Sequence, residues 1–344
     1  MSSLEIIGLK TYFQLDEGTL KAVDGVDVSV ASNSTVGLIG ESGSGKSVTA
    51  RSIMQLLAPG RIESGQILLH GDDGTTVDVA ALDPAGSEMR KIRGGEIAMV
   101  FQEPMTSLSP VHTIGNQISE MALLHATSDK AEAKERSIAM LKRVNISNPE
   151  QRYDEYPHQL SGGMRQRAMI AMALVAEPSV LIADEPTTAL DVTVQAQILD
   201  LMSALQEEFG MAIFYITHDL GVVAEVCDTV NVMYLGRIVE TATARELFTD
   251  PKHPYTRRLM ESIPRLGSKA LGIERLETIE GNVPVPIGMT PQCGFHSRCR
   301  EAIEGRCNTA IPALEAMTTT HSVRCFLHSD ATDSADISPE EAHA

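Results

Sequence analysis

Residues 4 to 39 alternate apolar and polar side chains, as in Val26-Asp27-Val28-Ser29-Val30, and close on Val36-Gly37-Leu38-Ile39 before Gly40. A period of two predicts half-buried strands, and the closing run predicts a buried strand that feeds a glycine-rich loop. Residues 47 to 57 are apolar at helical spacing and predict the helix after that loop. From about Pro104 to Ala176 the period is mostly helical, with segments Ile114 to Leu124, Lys130 to Val144 and Ser161 to Ala176. Short apolar runs return at Val180–Ala183 and Ala212–Thr217. Such runs suit strands covered on both faces of a parallel sheet. Pro251, Pro254 and Pro264 then punctuate a linker with one helix at Tyr255 to Ser262, and a Pro- and Gly-rich stretch beyond it holds four of the five cysteines. Asp330 to Ala344 has five acidic residues and no Lys or Arg, a composition that predicts disorder.

Composition narrows the function classes. The balance of 28 basic against 46 acidic residues gives a net charge of −18, which argues against a binder of phosphate backbones that works by bulk charge. The longest apolar run in the helical region, Ala168 to Ala176, falls short of the roughly 18 residues a membrane span needs. Met1-Ser2-Ser3-Leu4-Glu5 has neither a basic nor an apolar leader region. The chain is therefore expected in the cytoplasm, where five cysteines stay reduced and membrane contact comes through partner proteins.

The chemistry lies where strands end. Gly40-Glu41-Ser42-Gly43-Ser44-Gly45-Lys46-Ser47 follows an apolar β-branched run and precedes a helical pattern. There, small glycines let successive backbone N–H groups converge on phosphate oxygens, and the helix adds its positive end. Lys46 should reach the β- and γ-phosphates, and Ser47 should place its hydroxyl on magnesium. Asp184 closes the apolar run Val180-Leu181-Ile182-Ala183, so its carboxylate should emerge where magnesium sits. Glu185 follows and can orient or deprotonate a water in line with the γ-phosphate. Gln102, after Met99-Val100-Phe101, can ligate magnesium and sense the γ-phosphate, and His218, after Ile216-Thr217, can hydrogen-bond it. Ser161 in Leu160-Ser161-Gly162-Gly163-Met164 is a good helix N-cap, and Gly162 and Gly163 leave that helix end bare for an anion. One chain already has a complete phosphate loop, so the economical target of this second anion site is ATP held by a partner.

In this order the motifs resemble the ATPase subunits of ATP-binding cassette (ABC) transporters, with Met164 where Gln is the commoner family residue. The resemblance implies an α/β P-loop NTPase cassette: a RecA-like core, an antiparallel β subdomain and a helical subdomain, with a small Cys-rich C-terminal extension. It implies that Asp191, in Glu185-Pro186-Thr187-Thr188-Ala189-Leu190-Asp191, communicates between two sites, and that Phe13, with Tyr12 as runner-up, stacks on adenine. Phe101-Gln102-Glu103-Pro104-Met105-Thr106-Ser107-Leu108 and His253-Pro254-Tyr255-Thr256 further resemble the dipeptide and oligopeptide importers. That subfamily implies a second ATPase subunit (a paralogue), two transmembrane permeases and an extracytoplasmic solute-binding protein, with the chain peripheral on the cytoplasmic face of the inner membrane. A soluble cassette acting on nucleic acid or ribosomes is the rival. Chromosome-structuring versions need hundreds of coiled-coil residues between loop and signature, whereas Lys46 and Ser161 are 115 positions apart.

Cys293, Cys299, Cys307 and Cys325 fall within 33 residues as C-x5-C-x7-C-x17-C. Zinc sites usually use close C-x2-4-C pairs, so the spacing leans toward an iron–sulfur cluster. His296, His321 and His328 keep a mixed zinc site open. The resembling importer subunits carry a [4Fe–4S] cluster on matching cysteines, and here it would pin a segment poor in apolar side chains. The expected division is a cassette over 1–248 with a helical insertion about 104–176, an extension over 249–328 and an acidic tail over 329–344. Loosening that extension is expected to leave ATP binding intact, since the cassette core lies upstream.

Overall fold

The computed structural model describes residues 2–71, 73–102, 107–188, 190–262, 279 and 281–329. The lead-in Glu103–Thr106, Pro264 and the acidic tail from Asp330 lie outside the described residues. Two sheets carry the fold. In the first, β1 (Ser2–Leu15), β2 (Gly18–Ala31), β4 (Arg61–His70) and β5 (Thr76–Asp78) run antiparallel in the order β2-β1-β4-β5. The period-two pattern sets its faces: Leu4, Ile6 and Val26, Val28, Val30 point into the core, while the residues between them stay at least partly exposed.

The second sheet has a parallel centre of β9 (Thr229–Tyr234), β3 (Thr35–Ile39), β8 (Ala212–Ile216), β7 (Val180–Asp184) and β6 (Ile97–Val100), adjacent in that order. Every residue of β3, β6, β7 and β8 is buried, as continuous apolar runs require when both faces are covered. The two faces serve different cores. Val180 and Ile182 of β7 and Phe214 and Ile216 of β8 pack with the antiparallel sheet. Leu181, Ala183, Ile213 and Tyr215 pack toward the helical region. That region holds the helices Ile114–His125, Lys130–Arg143, Pro149–Tyr153 and Gly162–Leu174. Thr113, Asp129 and Ser161 cap three of them by accepting backbone N–H bonds, which satisfies donors the first turn leaves over. Among the described residues no helix is long and apolar enough to cross a membrane.

The C-terminal extension is not a separate body. Its strands β11 (Glu315–Ala316) and β12 (Ser322–Val323) continue the main sheet beyond β10 (Arg237–Thr243), giving the order β11-β12-β10-β9. Tyr255, Met260 and Phe295 belong to the same core as Tyr234, Leu235 and Val239. Glu240, fully buried, accepts the backbone N–H groups of Lys252 (2.6 Å) and His253 (2.9 Å) and lies 2.7 Å from His321 Nε2. Burial lowers the His253 pKa to about 3, and its Nδ1 accepts the Tyr255 N–H at 3.0 Å. Residues on both sides of position 248 therefore share buried contacts.

Candidate functional site

The carboxyl ends of β3, β6, β7 and β8 meet at one edge, and a groove of about 660 Å³ opens there. In open α/β sheets this is where ligands bind, outside the strand ends. The loop after β3 forms its floor. Gly40 and Gly45 sit at φ 154° and 110°; a Cβ on either would lie 2.2 Å from the Met233 carbonyl oxygen or 2.3 Å from that of Ala22. Only glycine allows this wrapping. Gly45 also begins the helix Lys46–Ile53 with no side-chain cap, so the first-turn N–H groups face the groove without a side-chain acceptor. Ser44 Oγ is buried without a hydrogen-bond partner. A bare helix end and an orphaned hydroxyl fit an anion with several acceptor oxygens.

Charged groups converge on the same floor. Lys46 Nζ donates to the carbonyls of Gly40 (2.7 Å) and Glu41 (3.1 Å). Burial lowers its pKa, opposed by the nearby carboxylates Glu185, Asp184 and Glu41. Ser47 Oγ donates to Asp184 Oδ1 at 3.1 Å, and burial, joined by the Glu185 charge, raises the Asp184 pKa against that hydrogen bond. A hydroxyl beside a carboxylate is an oxygen pair suited to magnesium, which takes one or two protein ligands and completes its shell with water and phosphate.

Glu185 is the hub. Its Oε2 accepts from Gln102 Nε2 (2.9 Å) and Thr188 Oγ1 (3.0 Å), and its Oε1 lies 3.0 Å from His218 Nδ1. Its backbone is left-handed at φ 49°, with its N–H donated to the Ile216 carbonyl at 2.8 Å. A non-glycine residue held in that region costs on the order of 1 kcal/mol and persists where the surroundings enforce it. The structure thus brings Gly40, Ser42, Gly43, Ser44, Gly45, Lys46, Ser47, Gln102, Asp184, Glu185 and His218 to one groove edge.

Other expected residues stand elsewhere. The Phe13 ring packs against Gly60. Tyr12 donates its hydroxyl to Asp24 at 2.7 Å, and neither ring lines the groove. The apolar wall above the loop is Leu20, Ala22 and Pro286 instead. Phe13 is the strand partner of Leu20, and a proline from the extension lines part of the groove, which no local pattern could reveal. Ser161, Gly162 and Gly163 open an exposed helix end where Ser161 Oγ accepts the Met164 N–H at 3.3 Å. Asp191, also exposed, accepts the Val194 N–H as cap of the helix Val192–Phe209. Neither cap touches the groove of its own chain.

The cysteines depart from expectation. Among the described residues no three His, Cys, Asp or Glu side chains are grouped so as to hold a metal ion, so the four-sulfur centre is not assembled in this arrangement. Burial first, then neighbouring thiols, raise the pKa of Cys293 to about 11 and Cys325 to about 12, and burial also raises that of Cys299. Each sulfur does accept a backbone N–H: Cys307 from Ile303 at 3.3 Å, Cys293 from Phe295 and His296, Cys299 from Glu301 and Cys325 from Leu327.

Residues 23–188 match the family described as ABC transporter, and residues 239–307 match the oligopeptide/dipeptide transporter C-terminal region. A putative peptide import ATP-binding protein of Brucella melitensis is 52% identical over 94% of this chain and 96% of its own length. The oligopeptide transport ATP-binding protein AppD of Bacillus subtilis is 49% identical over 95% of this chain and 97% of its own. Among solved structures, the cassette MJ0796, a dimer bound to ADP and Pi, superposes with a TM-score of 0.61 at 26% identity, covering 70% of this chain and 99% of that one. The protein cbiO1 of Clostridium perfringens, part of the ABC transporter complex cbiONQ, gives 0.62 at 29% identity over 78% of this chain and 99% of that one.

Proposed function

The chain belongs to the ATP-binding cassette transporter family, and from that premise we propose that it is the ATP-hydrolysing subunit of a peptide importer. One observation carries the reading: the phosphate cradle, the Ser47–Asp184 oxygen pair and the Glu185 hub share one groove edge. Lys46 and the loop N–H groups would hold the β- and γ-phosphates of ATP. Ser47, Asp184 and Gln102 would hold magnesium, which shields phosphate charge when bound. Glu185 would accept the proton of the attacking water. Gln102 and His218, now both on Glu185, would turn toward the γ-phosphate. Asp191 would carry the state of one site to the other. The exposed end at Ser161–Gly163 would complete the groove of a partner cassette, a second copy or a paralogue.

Peptide as cargo is supported by similarity to named peptide import and oligopeptide transport proteins over nearly the whole chain, extension included. Transmembrane permeases and a solute-binding protein follow as partners, with this chain peripheral on the cytoplasmic face. In vesicles carrying the cognate complex, peptide-loaded binding protein should raise ATP hydrolysis and peptide entry together, and Lys46→Ala should abolish both. Hydrolysis that ignores every peptide and rises instead with RNA or ribosomes would favour the soluble rival.

The four cysteines are read as ligands of a [4Fe–4S] cluster that braces the extension, with zinc as the alternative. Support comes from the four cysteines falling within 33 residues and from the backbone N–H bond that each sulfur accepts, which favours thiolate over thiol. Anaerobically purified protein should be brown with about four irons per chain, and Cys299→Ser should bleach it. Colourless protein with one zinc per chain would replace the cluster with zinc.

A further inference from the structure

The phosphate loop is gripped from outside the cassette core. We propose that Arg298, in the C-terminal extension, is a positioning residue for the ATP site, acting through Glu41 on the loop and on Lys46. This rests on the reading of Gly40–Ser47 as the ATP-binding loop.

Glu41 is the second residue of that loop, and the extension holds it at both ends. Arg298 Nη1 donates to Glu41 Oε2 at 2.8 Å and Nη2 to Oε1 at 3.1 Å, a two-pronged pair with the Arg298 side chain only 5% exposed. The Glu41 backbone N–H donates to Tyr255 Oη at 2.8 Å. The grip is itself anchored. Arg298 also donates to the Gly281 carbonyl (3.1 Å) and to Tyr234 Oη (3.2 Å). Tyr234, Tyr255 and Phe295 pack ring to ring with centroids 4.7 to 5.4 Å apart. Neither the guanidinium nor the tyrosine hydroxyl is free to follow a loop that drifts.

The link continues to the chemistry. The Glu41 carbonyl accepts Lys46 Nζ at 3.1 Å, so the residue that Arg298 clamps also positions the lysine meant for the phosphates. Charge adds a second effect. Glu41 is one of three carboxylates whose charge favours protonated Lys46. Unneutralised, it would compete with a triphosphate for Lys46 and repel the incoming anion. The fork of Arg298 cancels that charge in the geometry best suited to a carboxylate. Arg298 directly precedes Cys299 and lies between Cys293 and Cys307, so the segment bearing the thiols is the segment gripping the loop. On this proposal, loosening the extension weakens ATP binding.

The test uses the full chain, with ATP titrated by a fluorescent analogue and steady-state hydrolysis measured in the assembled transporter. Arg298→Ala should weaken ATP binding and raise KM by about ten- to a hundred-fold, with a smaller change in kcat because Glu185, Gln102 and His218 are untouched. Arg298→Lys, which keeps one charge but loses the fork, should fall between. Adding Glu41→Gln to Arg298→Ala should recover most of the affinity, because it removes the carboxylate left unneutralised; a role in folding alone would give no such rescue. Thermal unfolding of each variant separates fold from site, and Arg298→Lys with the double variant serve if Arg298→Ala does not fold. A folded Arg298→Ala with unchanged KM, or a double variant no better than the single, overturns the proposal. Wild-type protein that fails to bind ATP would overturn the ATP site itself along with it.

Discussion

Glu185→Gln is expected to leave ATP binding intact while slowing hydrolysis by about 100- to 10,000-fold, the usual cost of losing a general base. The substitution keeps size and shape. The strained φ of 49°, the bond from its N–H to Ile216 and the oxygen facing Gln102 can all remain. What disappears is the acceptor for a water proton. The loop and Lys46, which would carry the binding energy, sit on a different strand end, so affinity and turnover should separate cleanly. Phosphate release against nucleotide titration checks this. Near-normal turnover would remove Glu185 as the base and pass the role to another group at the groove.

The second large effect should come from across a dimer. Ser161 and its glycines lie outside the groove of their own chain, on an exposed helix end. The isolated chain should therefore hydrolyse ATP poorly, and the assembled transporter should restore the rate. Ser161→Arg should then lower hydrolysis at the partner's loop by about 100-fold, as loss of an aimed anion donor does, while this chain's own loop still binds ATP. The lost cap costs about 1 kcal/mol, too little to unfold the helical region. Ser161→Asn, which keeps a cap, provides the control. Full activity of the monomer at high dilution would defeat the shared-site reading.

Much of the fold was legible because its signals are local. Strand alternation in Val26–Val30, the apolar runs Val180–Ala183 and Ala212–Ile216, and the helical segments between 114 and 174 need only periodicity. The groove residues were legible for a related reason. Gln102 and His218 stand just after an apolar strand, Asp184 ends one and Lys46 closes the loop that follows another, and parallel strands in one sheet bring such ends together. What the rings of Tyr12 and Phe13 touch depends on where β1 passes, not on their spacing from the loop. Tyr12 is taken up by Asp24 and Phe13 by Gly60.

By itself, then, the amino-acid order determined the strands, the glycine loop, the cap at Ser161, and which residues end the parallel strands, since all of these follow from neighbours a few positions apart. Tertiary structure alone decided what the extension does. Glu41 and Arg298 are 257 positions apart, and Glu240 and His321 are 81 apart. Contacts across such distances carry no periodicity and form only when the core shared by Tyr234, Tyr255 and Phe295 brings distant segments together. Pro286 stands at the groove where its carbonyl accepts the Lys21 N–H, and one core joins residues from both sides of residue 248.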